Sequence, residues 1–303
     1  MTTAPLQYRN LFICGLHRSG TSLITRAIAA HPAIAGFENT AAIEQEGQYL
    51  QTVLPTGPSF GGPGRFALNP AAHLTEESPL ATPEIAAALA AQWAQHHPPG
   101  RELLVEKSPP NLTRTRLLQA LFPEARFIVV TRHPIPVALA TLKWTHTSPF
   151  SLIAHWVRAH EIVEADLPHL RHVLRLSYEE FVEDPGRELD RIWRFFDLPA
   201  CPVDIATQNQ NLAYFERWRR EFVPPVAESQ IPGPGGQFWR RICKKLSPRT
   251  KTQADLLRFQ FGRRNDARDA VTAFEQSVQR FGYSLTDFNL APRHPATAPR
   301  AAR

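Results

Sequence analysis

The chain has 303 residues, 43% hydrophobic and 20% charged, which excludes a fibrous or wholly disordered protein and leaves room for a sizeable buried core. Thirty-four Lys and Arg against 28 Asp and Glu give a formal net charge of +6, with arginine scattered rather than massed in one block. That balance suits an anionic ligand and argues against nucleic acid as a partner.

The three cysteines, Cys14, Cys201 and Cys243, have neither metal-ligand nor disulfide spacing, so no metal is expected and a reducing compartment is. The first ten residues lack the basic and apolar regions of a signal peptide, and no apolar run approaches the ~18 residues of a membrane span. The expectation is a cytoplasmic protein without stable membrane insertion.

In chain order, Leu11 to Cys14 reads as a buried strand and Ser22 to Ala30 as the helix after it, ended by Pro32. A short apolar run, Ala33 to Phe37, leads to Glu38. The stretch Gly57 to Pro83 is rich in Gly and Pro and is predicted to be irregular. Glu84 to His96 is a predicted helix. Leu103-Leu104-Val105 is a predicted strand ending at Glu106-Lys107, and Thr113 to Phe122 has helical spacing. Phe127 to Val130 is the strongest strand signal, apolar enough to be covered on both faces. Val137 to Trp144 and Pro149 to Ala165 follow as helices, then a strand at Val173 to Leu176. Arg187 to Phe196 is a helix with Leu189, Ile192, Trp193 and Phe196 on one face.

Beyond Ala200 the pattern weakens. Tyr214 to Phe222 is an aromatic, arginine-rich helix, Ile231 to Gly236 a breaker, and Lys251 to Gly282 a charged helix with an apolar stripe at Phe274, Val278 and Phe281. Strands alternating with helices predict a three-layer α/β/α domain around a mostly parallel sheet, with a helical C-terminal part. The domain is placed at residues 1–290, and residues 291–303 form a basic tail expected to be disordered.

The most informative segment is Gly15-Leu16-His17-Arg18-Ser19-Gly20-Thr21-Ser22. A strand runs into a loop bounded by two glycines, and a helix starts at Thr21. Such a loop lets backbone amides and a helix N-terminus meet a phosphate. The glycine spacing is that of G-x-x-x-x-G-K-[ST], but Thr21 stands where the lysine should be, and the positive charge sits earlier, at Arg18. Arg18, Glu38, Lys107 and Arg132 each follow a predicted strand, which places them at one end of a parallel sheet, where ligands bind.

With these pieces together, the chain resembles the sulfotransferase superfamily that uses 3′-phosphoadenosine-5′-phosphosulfate (PAPS). The resemblance covers roughly residues 10 to 200 and is closest to the branch of tyrosylprotein and many bacterial sulfotransferases. It rests on Gly15 to Ser22, on Lys107-Ser108-Pro109, on Phe127-Ile128-Val129-Val130-Thr131-Arg132-His133-Pro134, and on Leu174 to Pro185 with Tyr178, which resembles a tyrosine-bearing strand and following loop. It implies a P-loop-like fold and PAPS as co-substrate. The phosphosulfate would rest on His17, Arg18, Ser19, Gly20, Thr21 and Ser22, and the 3′ phosphate on Arg132, with Tyr178 in the nucleotide site. The family's serine eight residues past that arginine is Ala140 here, which implies either a weaker 3′-phosphate site or a hydroxyl supplied by Thr141.

By the same resemblance, Glu38 is the catalytic base, after the Ala30-His31-Pro32 turn, with Glu44 and Glu46 as rival acids. Lys107 would stabilise the transferring group and Arg18 the leaving phosphate. The acceptor is expected to carry a hydroxyl, on a carbohydrate, lipid, peptide or small metabolite. Two other readings stay open: a P-loop phosphoryl transferase or nucleotide hydrolase, disfavoured by Thr21, and a non-catalytic nucleotide-binding protein.

Overall fold

The computed structural model describes residues 9–97, 100–222 and 264–294. Five strands form one sheet in the order β2-β3-β1-β4-β5, and every pairing is parallel. They are β1 (Arg9–Cys14), β2 (Ile34–Ala35), β3 (Leu103–Lys107), β4 (Arg126–Thr131) and β5 (Val173–Ser177).

Alternation along the strands sends successive side chains to opposite faces. Leu11, Ile13, Ile128 and Val130 pack on one face against α1 (Thr21–Ala29) and α7 (Pro185–Phe195), through Ile24, Ile28, Leu189, Ile192 and Trp193. Phe12, Cys14, Phe127 and Val129 pack on the other against α3 (Thr115–Leu121), α4 (Pro134–Thr141) and α5 (Pro149–Asp166). The strands are therefore covered on both faces, and the result is the three-layer α/β/α arrangement. The last helices, α8 (Asn211–Phe222) and α9 (Arg264–Gln279), join the second core through Phe215, Trp218, Val271 and Val278.

Several helices start where a capping residue precedes proline, as N-cap chemistry and the fixed φ of proline favour. Thr82 caps α2 (Pro83–Ala94), Ser148 caps α5 and Asp184 caps α7, each accepting from a backbone N–H in the first turn. The stretch expected as a loop after Tyr178 is instead a short helix, α6 (Tyr178–Glu183). A reciprocal capping box makes it: Ser177 accepts from Glu180 N, and the Glu180 carboxylate accepts from Ser177 N.

Gly57 to Pro83 is irregular, with three short 3-10 turns, and is pinned to α5 by His73 Nε2 and Asp166 at 3.0 Å. The predicted breaker at residues 231–236, Cys243 and the first part of the predicted helix from Lys251 lie outside the described residues. So does the tail from residue 295. Residues 291–294 lie on the domain, where His294 N donates to Glu180 Oε1 at 2.9 Å.

Glu106, fully buried in β3, is the acceptor that ties three segments together. Its carboxylate receives Gly47 N at 3.0 Å, Ser108 Oγ at 2.5 Å and Asn111 Nδ2 at 2.5 Å. Glu106→Ala strands those donors and is expected to lower the unfolding free energy by about 3 kcal/mol or more in a urea titration. Gly20 has φ +87, and a Cβ there would lie 2.5 Å from Tyr178 Cδ2. Gly20→Ala is expected to cost about 1–3 kcal/mol by the same measurement.

Candidate active site

Strand order decides where a ligand can sit. From β1 the chain leaves to one side for β2 and β3, then crosses to the other side for β4, so the crevice opens past the carboxyl ends of β1 and β4. Register decides which residues meet there. Cys14 lies opposite Val129, Ile13 opposite Lys107, and Thr131 opposite Ser177. One residue beyond those ends come Gly15, Arg132 and Tyr178.

Gly15 is pressed against β4, for a Cβ on it would be 2.9 Å from Val130 O. The loop then turns back through two left-handed residues, Arg18 at φ +67 and Gly20 at φ +87. Ser19 N closes it on Leu16 O at 3.1 Å. Gly20 caps α1 without a side-chain acceptor, so the first amides of the helix keep their donors for an anion. Ser19 Oγ is buried with no partner among the described residues.

A cleft of about 520 Å³ opens over this loop. Arg18, Arg26, Lys107 and Arg132 line it, against two carboxylates, Glu44 and Glu46. Four cations facing two acids favour a ligand with more than one negative charge. Gly20, Thr21, Ser22 and Tyr178 also line it. Arg18 is exposed, with its guanidinium 4.8 Å from the Trp144 ring centroid.

Arg132 is only 7% exposed. Its Nη1 donates to Arg18 O at 2.8 Å, its Nε donates to Asn211 Oδ1 at 2.9 Å, and its guanidinium lies 4.0 Å from the Tyr178 ring centroid. Its Nη2 is buried with no partner among the described residues, and burial pulls its pKa below the usual arginine value. Asn211 is oriented by donating from Nδ2 to Glu179 Oε1 at 2.7 Å. Burial raises the pKa of Glu179, which also receives His133 N at 3.1 Å and Tyr283 Oη at 3.1 Å. Sequence reading missed Asn211 and Glu179. Their available signals were a polar head on the aromatic-arginine helix and a carboxylate inside the capping box beside Tyr178.

Lys107 is nearly buried. Its Nζ donates to Glu44 O at 3.0 Å and pairs with Glu46 Oε1 at 3.1 Å. Glu38 is exposed and lies outside the cleft lining, so the structure does not bring it to the other residues of the set. Thr141 is also placed apart. Ala140 lines the cleft, whereas Thr141 helps line a separate cavity of about 10 Å³ with His17, His155 and Gly64. His17 borders both spaces, and burial lowers its pKa to about 4, so its ring is neutral at pH 7.

Among solved structures, the chain is similar to sulfotransferase STF1 from Mycobacterium tuberculosis H37Rv, at 15% identity and a TM-score of 0.43, over 63% of this chain and 68% of that one. It is similar to the sulfotransferase domain from the curacin biosynthetic pathway, at 16% identity and a TM-score of 0.43, over 78% and 96%. It is also similar to mouse sulfotransferase SULT7A1 complexed with PAP, at 13% identity and a TM-score of 0.37, over 88% and 89%. In sequence, the family model described as the sulfotransferase family matches residues 10–202. That match runs from β1 past the end of α7, over half of the sequence, and by it the chain belongs to the sulfotransferase family.

Proposed function

We propose that this protein transfers the sulfuryl group of PAPS to the hydroxyl of an acceptor by in-line displacement, without a metal. The observation that carries the reading is the meeting of two arginines from two strand ends, Arg132 Nη1 donating to the Arg18 carbonyl in one cleft. PAPS has two separate anionic groups on one nucleotide. A loop built for one anion lies directly beside a buried guanidinium with Nη2 unpartnered among the described residues, which suits the second.

The roles follow from charge. The phosphosulfate rests on the loop amides, the start of α1 and the hydroxyls of Ser19, Thr21 and Ser22. Arg18 meets the charge that grows on the leaving phosphate. Arg132 holds the 3′ phosphate, with Tyr178 as the wall beneath its guanidinium. Lys107, already on the cleft, stabilises the sulfuryl oxygens as the bond to the leaving group stretches. Thr21 in place of the lysine of nucleotide triphosphatases favours this donor over ATP.

Calorimetric titration of the full chain with adenosine 3′,5′-bisphosphate tests the donor assignment. Binding tighter than that of ATP–Mg²⁺ is expected, and the reverse order would put the protein among phosphoryl-transfer enzymes. Arg132→Ala is expected to weaken bisphosphate binding by about 10- to 100-fold, the loss of a charged hydrogen-bond pair, while the affinity for inorganic sulfate changes less. A screen of hydroxyl acceptors with ³⁵S-labelled PAPS then identifies the acceptor class.

A further inference from the structure

Three carboxylates follow β2 in one nine-residue stretch from Glu38 to Glu46, with Glu44 between them. Glu38 is exposed and outside the cleft, whereas Glu46 lines it and is only 5% exposed. Its Oε1 is 3.1 Å from Lys107 Nζ, and its Oε2 accepts from Gln48 Nε2 at 2.5 Å.

The backbone is bent to put it there. Glu44 at φ +52 and Gln45 at φ +53 are consecutive left-handed residues, costly for side chains with a Cβ. Bonds on both sides hold this bend. Gln45 Oε1 accepts from Thr40 N at 3.0 Å and Thr40 Oγ1 at 2.8 Å, and Gln45 Nε2 donates to Thr40 O at 3.2 Å. Beyond it, Gly47 N donates to Glu106 at 3.0 Å, and Gln48 N to Ser108 Oγ at 3.0 Å. Strain held this firmly beside a cleft points to a positioned functional group.

We propose that Glu46 is the general base of the transfer. This rests on the sulfotransferase reading above. The acceptor oxygen attacks sulfur and a new S–O bond forms. The S–O bond to the nucleotide phosphate breaks, and its electron pair leaves with adenosine 3′,5′-bisphosphate. The acceptor's hydroxyl proton passes to the Glu46 carboxylate, giving a sulfate ester and a neutral acid. Lys107 has three N–H donors, two of them committed to Glu44 O and Glu46, which leaves one for the transferring group.

Burial and the charges around Glu46 set the pH dependence. Burial is the largest effect and raises its pKa, Lys107 and Gln48 pull the other way, and Glu106 adds to the rise. Arg114 and Tyr49 also feel its charge, and Glu44 shares the cleft. A base with a raised pKa is active above that value, so transfer should fall on the acid side as pH drops through it.

The test follows ³⁵S leaving labelled PAPS, onto water and onto a panel of simple phenols, across pH, with bisphosphate affinity measured on each variant. Glu46→Gln is expected to lower kcat about 100-fold or more, lose the acid limb and keep bisphosphate affinity within about threefold. Glu38→Gln is expected to keep both its acid limb and its rate within about threefold of the unaltered chain. Glu46→Gln with near-normal rate, or with the acid limb intact, would overturn the proposal, as would unaltered protein that binds bisphosphate yet releases label to no acceptor. If Glu46→Gln does not fold, Glu38→Gln decides alone, because a hundredfold loss there puts the base on Glu38. Failure of the unaltered chain to bind bisphosphate sinks the donor reading instead and is separated by that titration.

Discussion

The hydrogen bond from Arg132 Nη1 to the carbonyl of Arg18 is the contact on which the site depends. It joins the loop after β1 to the loop after β4, which strand order makes neighbours. Burying a guanidinium costs several kcal/mol unless charge and donors are answered. Here no carboxylate among the described residues forms an ion pair with Arg132. A carboxyl group reaches it only through a relay, from Glu179 through the amide of Asn211 to Nε. The cation is thus held by neutral acceptors and an aromatic face, with part of its charge unanswered. The folded chain already bears that desolvation cost, so an anion arriving there gains more than it would on a solvated arginine. Lysine in the same place could not make the planar, two-sided contact.

The support for Arg132 extends beyond the stretch that matches the family. Trp156 Nε1 donates to the Arg132 carbonyl at 3.0 Å from within that stretch. Asn211 and Tyr283 lie past its end at residue 202. The Tyr283 hydroxyl donates to Glu179, and Trp218 Nε1 donates to Leu285 O at 3.1 Å, fastening α8 to the segment after α9. The C-terminal part therefore acts on the site through the Glu179–Asn211 relay rather than by mere packing. A truncation after residue 202 would lose the groups that orient the guanidinium, together with the core residues that α8 and α9 supply.

Much of the fold could be read from sequence because its signals are local. The β4 run and the strand-helix alternation fix the sheet, and the amphipathic spacing of Leu189, Ile192, Trp193 and Phe196 placed those four residues in the core. The glycine-bounded loop, Lys107, Arg132 and Tyr178 were legible because each sits at a strand end, where the register brings them together. Asn211 and Glu179 were not, since their roles come from side chains 32 positions apart that meet only in the fold. Glu38 illustrates the same limit. It follows β2, the edge strand, two places from β1 in the sheet. Strands lie about 4.8 Å apart, so a residue just past β2 starts about 10 Å from the crevice. Sequence order shows that a residue follows a strand, but not how far that strand lies from the switch point.

The chain crosses that distance in the segment between Glu38 and Gln48, which explains its awkward backbone. To reach the end of β3 it turns at Glu44 and Gln45, at about 1–3 kcal/mol for each left-handed residue. Hydrogen bonds of about 0.5–1.5 kcal/mol each offset this, three within the segment from the Gln45 side chain and two to Glu106 and Ser108 across it. The balance is close to even, so the bend adds little to stability. What it achieves is placement: a carboxylate and a carbonyl both within 3.1 Å of Lys107 Nζ, at the end of β3, which pairs with the strand that carries the phosphate loop. Stability alone would be served as well by a relaxed loop, and the position of Glu46 is the feature that a relaxed loop would lose.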